Sequence, residues 1–235
     1  MAIYLTELGK AFTFPSPYKA LSDPNGLLAF GGDLDPMRIL KGYHQGIFPW
    51  YGPGEPILWW SPNPRGVITP AEFKLNRSTK KNIKRSNFSF TVNQAFSDVI
   101  QNCAKLRVKE GTWISDEMIS AYTKLHEEKY AHSIEVWQND KLVGGLYGIG
   151  LGALFCGESM FHLATDASKA AFWQLCELAK EFGIQLIDCQ MQNSHLQTLG
   201  IYEIERNDFL TISAELQQAS ISSDVWHKRQ LKYEW

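Results

Sequence analysis

The 235-residue chain has ten prolines but none after Pro70, and it contains no Cys-x-x-Cys pair, no His-Glu-x-x-His run and no long apolar segment. Each absence excludes something. The four cysteines, at 103, 156, 176 and 189, are spaced for neither a disulfide framework nor a zinc knuckle, which predicts reduced, buried thiols. The six histidines lack metal-ligand spacing, so they are expected to be structural and the protein to hold no metal. The longest uncharged apolar stretch, Leu142 to Phe155, is 14 residues long and broken by five glycines, too short to cross a bilayer. No basic segment followed by an apolar core opens the chain, which predicts a cytoplasmic protein with no membrane association. With 23 Lys and Arg against 25 Asp and Glu, the net charge of -2 leaves no uniformly basic coat for nucleic acid, and only a local patch could serve that purpose.

What is present is a large apolar fraction, 44%, and enough aromatic residues, 13%, for generous cores or flat stacking surfaces. The prolines all lie between Pro15 and Pro70, and nine of the 18 glycines fall at or before Gly66. That shift predicts a small, loop-rich N-terminal domain over residues 1–64 and a larger domain of regular elements over 65–235. Asp35 and Pro36 read as the cap and first turn of a helix that Gly46 can stop. A second helix is expected from about Ser115 to Lys129, with Met118, Tyr122 and Leu125 on one face. Runs at 132–137, 142–149 and 153–161, parted by turn-like clusters, predict an antiparallel meander. A helix from about Asp166 to Phe182, stopped by Gly183, and a strand from Ile184 to Gln190 complete an α+β plan. The order of these elements is similar to that of the N-acetyltransferase (GNAT-like) fold, with a mostly antiparallel sheet.

Several motifs point to chemistry only when weighed against plainer readings. Gly157-Glu158-Ser159-Met160-Phe161 nearly matches a nucleophile elbow, but Phe161 stands where the turn needs a small residue, and a serine hydrolase is not expected. Gly145 to Gly150 imitates a phosphate-binding loop inside a strand, and Gly145 stands where coenzyme-A-dependent acyltransferases place Gln or Arg, which disfavours coenzyme A. Arg77, Lys80, Lys81, Lys84 and Arg85 fall at i, i+3, i+4, i+7 and i+8, a continuous basic stripe if the segment is helical. We read it as a polyanion site rather than a solvated face, because nothing else in this acidic chain is so polarised. Trp50 and Trp113, in turn-rich contexts, suit a base-stacking surface as well as a core. Asp188 and Gln190, two apart on a buried strand, share a face; Glu158 poses the same question, and spacing leaves catalysis and a structural network open alike.

The longer blocks are more specific. Asn25 to Leu34, Gly46-Ile47-Phe48-Pro49-Trp50 and Ile57 to Arg65, followed by Glu110-Gly111-Thr112-Trp113-Ile114, His132 to Trp137, Phe155 to Phe161 and Leu186-Ile187-Asp188-Cys189-Gln190, resemble the signatures of the leucyl/phenylalanyl-tRNA–protein transferase family. The resemblance implies transfer of Leu or Phe, and of Met, from aminoacyl-tRNA to the α-amino group of proteins beginning with Arg or Lys, which marks them for degradation. It implies no cofactor, since the ester arrives activated, and an acyltransferase-like second domain in which aminoacyl-tRNA replaces acyl-coenzyme A. By the same resemblance Trp50 and Trp113 hold the terminal adenosine with Glu158 near it. Phe155, Met160, Ile187 and Leu146 (where the family often has Met) line the pocket for the transferred side chain. Asp188 and Gln190 serve the attacking amine, Gln190 aligning it and Asp188 orienting Gln190 or attracting the cation. Proton removal by an Asp188/Gln190 relay or by the tRNA ribose is left open.

Overall fold

The computed structural model describes residues 5–106 and 113–231. In the first part of the chain β1 (Thr6–Leu8), β2 (Leu27–Gly31), β3 (Phe48–Pro49) and β4 (Leu58–Trp60) form a sheet ordered β1-β2-β4-β3, and α1 (Pro36–His44) joins β2 to β3. After these come β5 (Arg65–Ile68), α2 (Arg77–Arg85), β6 (Ser89–Val92), α3 (Phe96–Leu106) and α4 (Asp116–Glu127). The meander is β7 (Ala131–Gln138), β8 (Lys141–Leu151) and β9 (Leu154–His162), and α5 (Ala167–Phe182) leads to β10 (Leu186–Asp188). The chain closes with α6 (Ser194–Gln197), β11 (Tyr202–Ile204), α7 (Arg206–Gln218) and β12 (Arg229–Leu231). The larger sheet has the order β11-β5-β10-β9-β8-β7-β6-β12 and is antiparallel except at the parallel β9–β10 pair, an α+β architecture.

The helices begin where their caps dictate. The Asp35 carboxylate accepts from the Met37 N–H, and the Ser115 hydroxyl from the Met118 N–H, each satisfying an orphan donor of the first turn. α5 starts where expected, but without a capping bond: Asp166 sits in the left-handed region (φ 63°), and its carboxylate is bonded by Asn82 of α2 and Lys169. Gly183, at φ 86°, ends α5 as the sequence predicts.

Helices cover both faces of the large sheet. On one face α5 packs through Ala167, Ala170, Ala171 and Leu175 against Ile134, Leu146 and Phe155. On the other, α3 and α4 pack through Val99, Ile100, Met118 and Tyr122 against Tyr147, Ile149 and Cys156, and that cluster continues into Ile39, Tyr43, Phe48 and Trp59. Gly144 has a definite role here: a Cβ on it would lie 2.6 Å from that of Ala167, so its missing side chain lets α5 approach β8. The run Gly145 to Gly150 is strand throughout, and Gly157-Glu158-Ser159 lies within β9 rather than at a strand-to-helix turn. Neither a phosphate loop nor a nucleophile elbow forms.

Candidate active site

The site starts from an irregularity in β9. Leu146 pairs with Met160 and Tyr147 with Ser159, but Gly148 pairs with Gly157, so Glu158 is an extra, unpaired residue. Such a bulge interrupts the two-residue alternation and re-aims the side chains beyond it. Phe155 and Met160 are five apart and would point to opposite faces of a regular strand. Here both belong to the apolar cluster on the α5 face, with Leu146, while Cys156 and Phe161 face the other way. Leu146, Phe155 and Met160 line a cavity of about 130 Å³ together with Phe172 and Leu175 of α5 and Leu196 of α6. That is small beside the roughly 300–1,000 Å³ of ordinary ligand pockets, and it fits a single side chain. Trp50, Glu158, Ser159, Gln190, Asn193 and His195 supply polar groups to its wall.

Glu158 is buried and receives an unusual set of donors. Tyr43 of α1 donates to its Oε1 at 2.5 Å, Tyr122 of α4 to its Oε2 at 3.1 Å, and the two phenol oxygens are 2.6 Å apart. Gln190 Nε2 approaches Oε1 at 3.5 Å. Burial pushes the Glu158 carboxyl up to about 7, against the lowering effect of the tyrosine hydrogen bonds. A carboxyl raised on folding from 4.5 to about 7 binds more protons folded than unfolded between those values, so it withdraws stability as pH rises through that window. Glu158→Gln is therefore expected to flatten the decline in stability between pH 5 and 8 by roughly 2.5 kcal/mol, measured by urea unfolding at both values. Equal slopes in wild type and variant would show that Glu158 ionises normally.

Asp188 and Gln190 are both buried but differ in surroundings. Gln190 borders the cavity; Asp188 does not, because both its carboxylate oxygens are engaged by Arg65, at 2.8 and 2.7 Å. Burial opposes the Arg65 charge, and the adjacent Asp188 carboxylate overcomes that and raises its pKa. Of the two roles expected of Asp188, orienting Gln190 or attracting the cationic amine, the first has a direct bond and the second a carboxylate already paired with Arg65. The link from Asp188 to Gln190 runs through the backbone, the Gln190 N–H donating to Asp188 Oδ1 at 2.9 Å, so the two side chains form no relay. Ile187 is fully buried opposite Ile68 of β5, in the same apolar cluster as Leu146 and Phe155, against which Met160 packs.

Trp50 and Trp113 come together, with ring centroids 5.3 Å apart and planes inclined by 37°. Trp50 borders the cavity and Trp113 lies one ring further out, beside a wider groove of about 870 Å³. Glu110-Gly111-Thr112 of the same motif lie outside the described residues. Arg77, Lys80, Lys81, Lys84 and Arg85 are all exposed on α2, on the side away from the buried Thr79 and Ile83. Helix α2 packs on α5, the helix that supplies Phe172 and Leu175 to the cavity.

Sequence reasoning missed several residues at the site. Tyr43 and Tyr122 read as ordinary core positions of amphipathic helices, and nothing local shows that their hydroxyls meet. His195 borders the cavity, although all six histidines were expected to be structural. That expectation suits His132, which stacks on Trp226 and which burial pushes down to about 3, so that it is neutral. No cluster of three or more metal-ligating side chains occurs among the described residues. No helix among them is long and apolar enough to cross a membrane.

Residues 67–214 match the family model for leucyl/phenylalanyl-tRNA protein transferase, and residues 32–63 match the model for that family's N-terminal domain. A leucyl/phenylalanyl-tRNA–protein transferase of Vibrio parahaemolyticus is 57% identical over 96% of both chains. One from Tolumonas auensis is 53% identical over 98% of this chain and 99% of its own. A solved structure described as L-PGS from Bacillus licheniformis has 11% identity and a TM-score of 0.42, covering 67% of this chain and 51% of the other, too distant to bear on function. On the family models and the near-full-length identities together, this chain belongs to the leucyl/phenylalanyl-tRNA–protein transferase family.

Proposed function

We propose that the cavity holds the side chain of the residue being transferred, and that the chain moves Leu or Phe, and also Met, from aminoacyl-tRNA to the α-amino group of proteins beginning with Arg or Lys, marking them for degradation. Family membership makes the chain an aminoacyl-tRNA–protein transferase. The observation that carries the site reading is the bulge at Glu158, which gathers Leu146, Phe155 and Met160 onto one apolar wall next to polar groups of the kind an ester substrate needs. In this reading Trp50 and Trp113 hold the terminal adenosine, with Glu158 beside it, and Gln190 aligns the incoming amine. The buried Ser159 hydroxyl and Trp50 Nε1 have no hydrogen-bond partner among the described residues, and a buried polar group left alone costs about 1–3 kcal/mol. A bound aminoacyl ester would relieve that cost. The five cations of α2 would take tRNA phosphates.

The reaction is aminolysis of an ester. An α-amino group with a pKa of about 7.7–8.0 is substantially neutral near pH 7.5, so positioning matters more than deprotonation. An apolar wall separates substrates by only about 1–3 kcal/mol per methylene, so it accepts Leu, Phe and Met together. Residues 1–64 and 65–235 act in this proposal as two domains in the cytoplasm, the second acetyltransferase-like. An antiparallel meander followed by α5 and a parallel β9–β10 pair supports that likeness.

Radiolabelled Phe-tRNA incubated with an Arg-initiated protein tests the proposal, with label expected at the protein's N-terminus. Consumption of acyl-coenzyme A instead, or binding of charged tRNA without deacylation, would overturn it. Within this reading, Met160→Trp fills the cavity, so transfer of Phe should fall well below wild type while binding of uncharged tRNA is retained. Equal losses in both would place Met160 in the core alone.

A further inference from the structure

Arg65, the first residue of β5, is fully buried and engages partners from both halves of the molecule. Its Nε and Nη2 donate to the two carboxylate oxygens of Asp188, and its Nη1 donates to the Gly46 carbonyl at 3.0 Å. The guanidinium lies between two rings, 4.8 Å from the centroid of Phe48 and 4.4 Å from that of Phe209. Two lines of contact leave it. One runs through Gly46 and Phe48 to Trp50, whose ring meets that of Phe48 edge-on at 5.2 Å. The other runs through Asp188 to Gln190. Asp188 Oδ1 accepts the Gln190 N–H, and Gly66 adds two backbone bonds, its N–H donating to the Gln190 carbonyl and its carbonyl accepting from the Cys189 N–H. Gln190 is thereby held at φ 57°, a left-handed conformation that a residue with a side chain keeps only where its surroundings impose it.

We propose that Arg65 is a positioning residue for the transfer reaction, setting Trp50 and Gln190 relative to each other so that donor ester and acceptor amine meet in line. This rests on the reading of Trp50 as an adenosine contact and of Gln190 as the group that aligns the amine. Arginine suits the task because a planar fork bonds a carboxylate and a carbonyl at once and slides between two rings, which a lysine ammonium cannot do. An ion pair present only for stability would be replaceable, since a buried pair exchanged for apolar residues of similar volume is often neutral or stabilising.

The double variant Arg65→Met with Asp188→Leu uses that difference, because it removes both charges and leaves neither alone. Its thermal midpoint is expected to fall by no more than several degrees, the cost of the Gly46 carbonyl and the Gln190 N–H losing their side-chain partners, while transfer of Phe from phenylalanyl-adenosine to an Arg-initiated peptide, measured below that midpoint, falls about 100-fold, the effect of a misplacement near 1 Å. The loss should appear in kcat as well as in the KM for the donor. Transfer by the folded variant within about threefold of wild type would overturn the proposal, since that is too small for a misplaced reacting group. Should the double variant not fold, Arg65→Lys keeps a charge beside Asp188. A kcat at least about tenfold lower at the wild-type midpoint supports the positioning role, and wild-type kcat overturns it. Wild type is the control: if it transfers no label, the transferase reading fails, independently of Arg65.

Discussion

Changing Lys80, Lys81, Lys84 and Arg85 to glutamine is expected to flatten the slope of log affinity for Phe-tRNA against log salt by about 3, and to lower affinity at moderate salt by orders of magnitude. Each phosphate contact contributes about 0.7–0.9 to that slope through counterion release, and four exposed cations of one helix face are removed. The buried face of α2, Thr79 and Ile83, is untouched, so the fold should persist. A minimal donor such as phenylalanyl-adenosine has no tRNA phosphates, and its slow transfer to an Arg-initiated peptide should survive. Unfolding would abolish both reactions, so the contrast separates loss of the tRNA track from loss of the protein. A variant with the wild-type salt slope would mean that the stripe is a solvated face and that the tRNA lies elsewhere.

The second large effect is expected from Asp188→Asn, on stability before activity. The variant leaves Arg65 charged, fully buried and without its carboxylate, and breaking one side of such a pair costs about 3–5 kcal/mol. For a chain of this length that corresponds to a fall in melting temperature of roughly 6–20 °C. At a temperature low enough for the variant to be folded, transfer should still drop at least about tenfold with Phe-tRNA affinity barely changed, because an uncharged amide oxygen anchors the Gln190 N–H and the Arg65 fork more weakly than the carboxylate does. Thermal melting and single-turnover transfer on the same preparation separate the two losses. Wild-type melting together with wild-type transfer would remove Asp188 from both roles.

The elements legible in the sequence are those whose signals are local. α1, α4 and α5 announce themselves by a capping residue or a terminal glycine and by apolar positions at helical spacing. The meander is marked by strand-like runs between turn clusters. The family was legible too, from long ordered blocks of residues. Elements whose signals are weak or whose partners are distant were not. β5 inserts between β11 and β10 far along the chain, and α3 and α7 carry no distinctive cap in the sequence.

The sequence by itself determined which residues are polar in an apolar run, and therefore that Glu158, Asp188 and Gln190 need partners. Who those partners are depends on chain topology. Tyr43 lies 115 residues from Glu158 along the chain, Tyr122 lies 36 away, and Arg65 lies 123 from Asp188; no periodicity relates such positions. Period-two alternation even misleads at β9, since it would separate Phe155 from Met160, and only the bulge opposite Tyr147 and Gly148 returns them to one wall. Side-chain direction along a strand is a local property until the neighbouring strand shifts its register. Tertiary structure alone decided that Gln190 and Glu158 border the cavity while Asp188 is held behind them by Arg65, because hydrogen bonds between distant residues form only where the completed sheet brings them together.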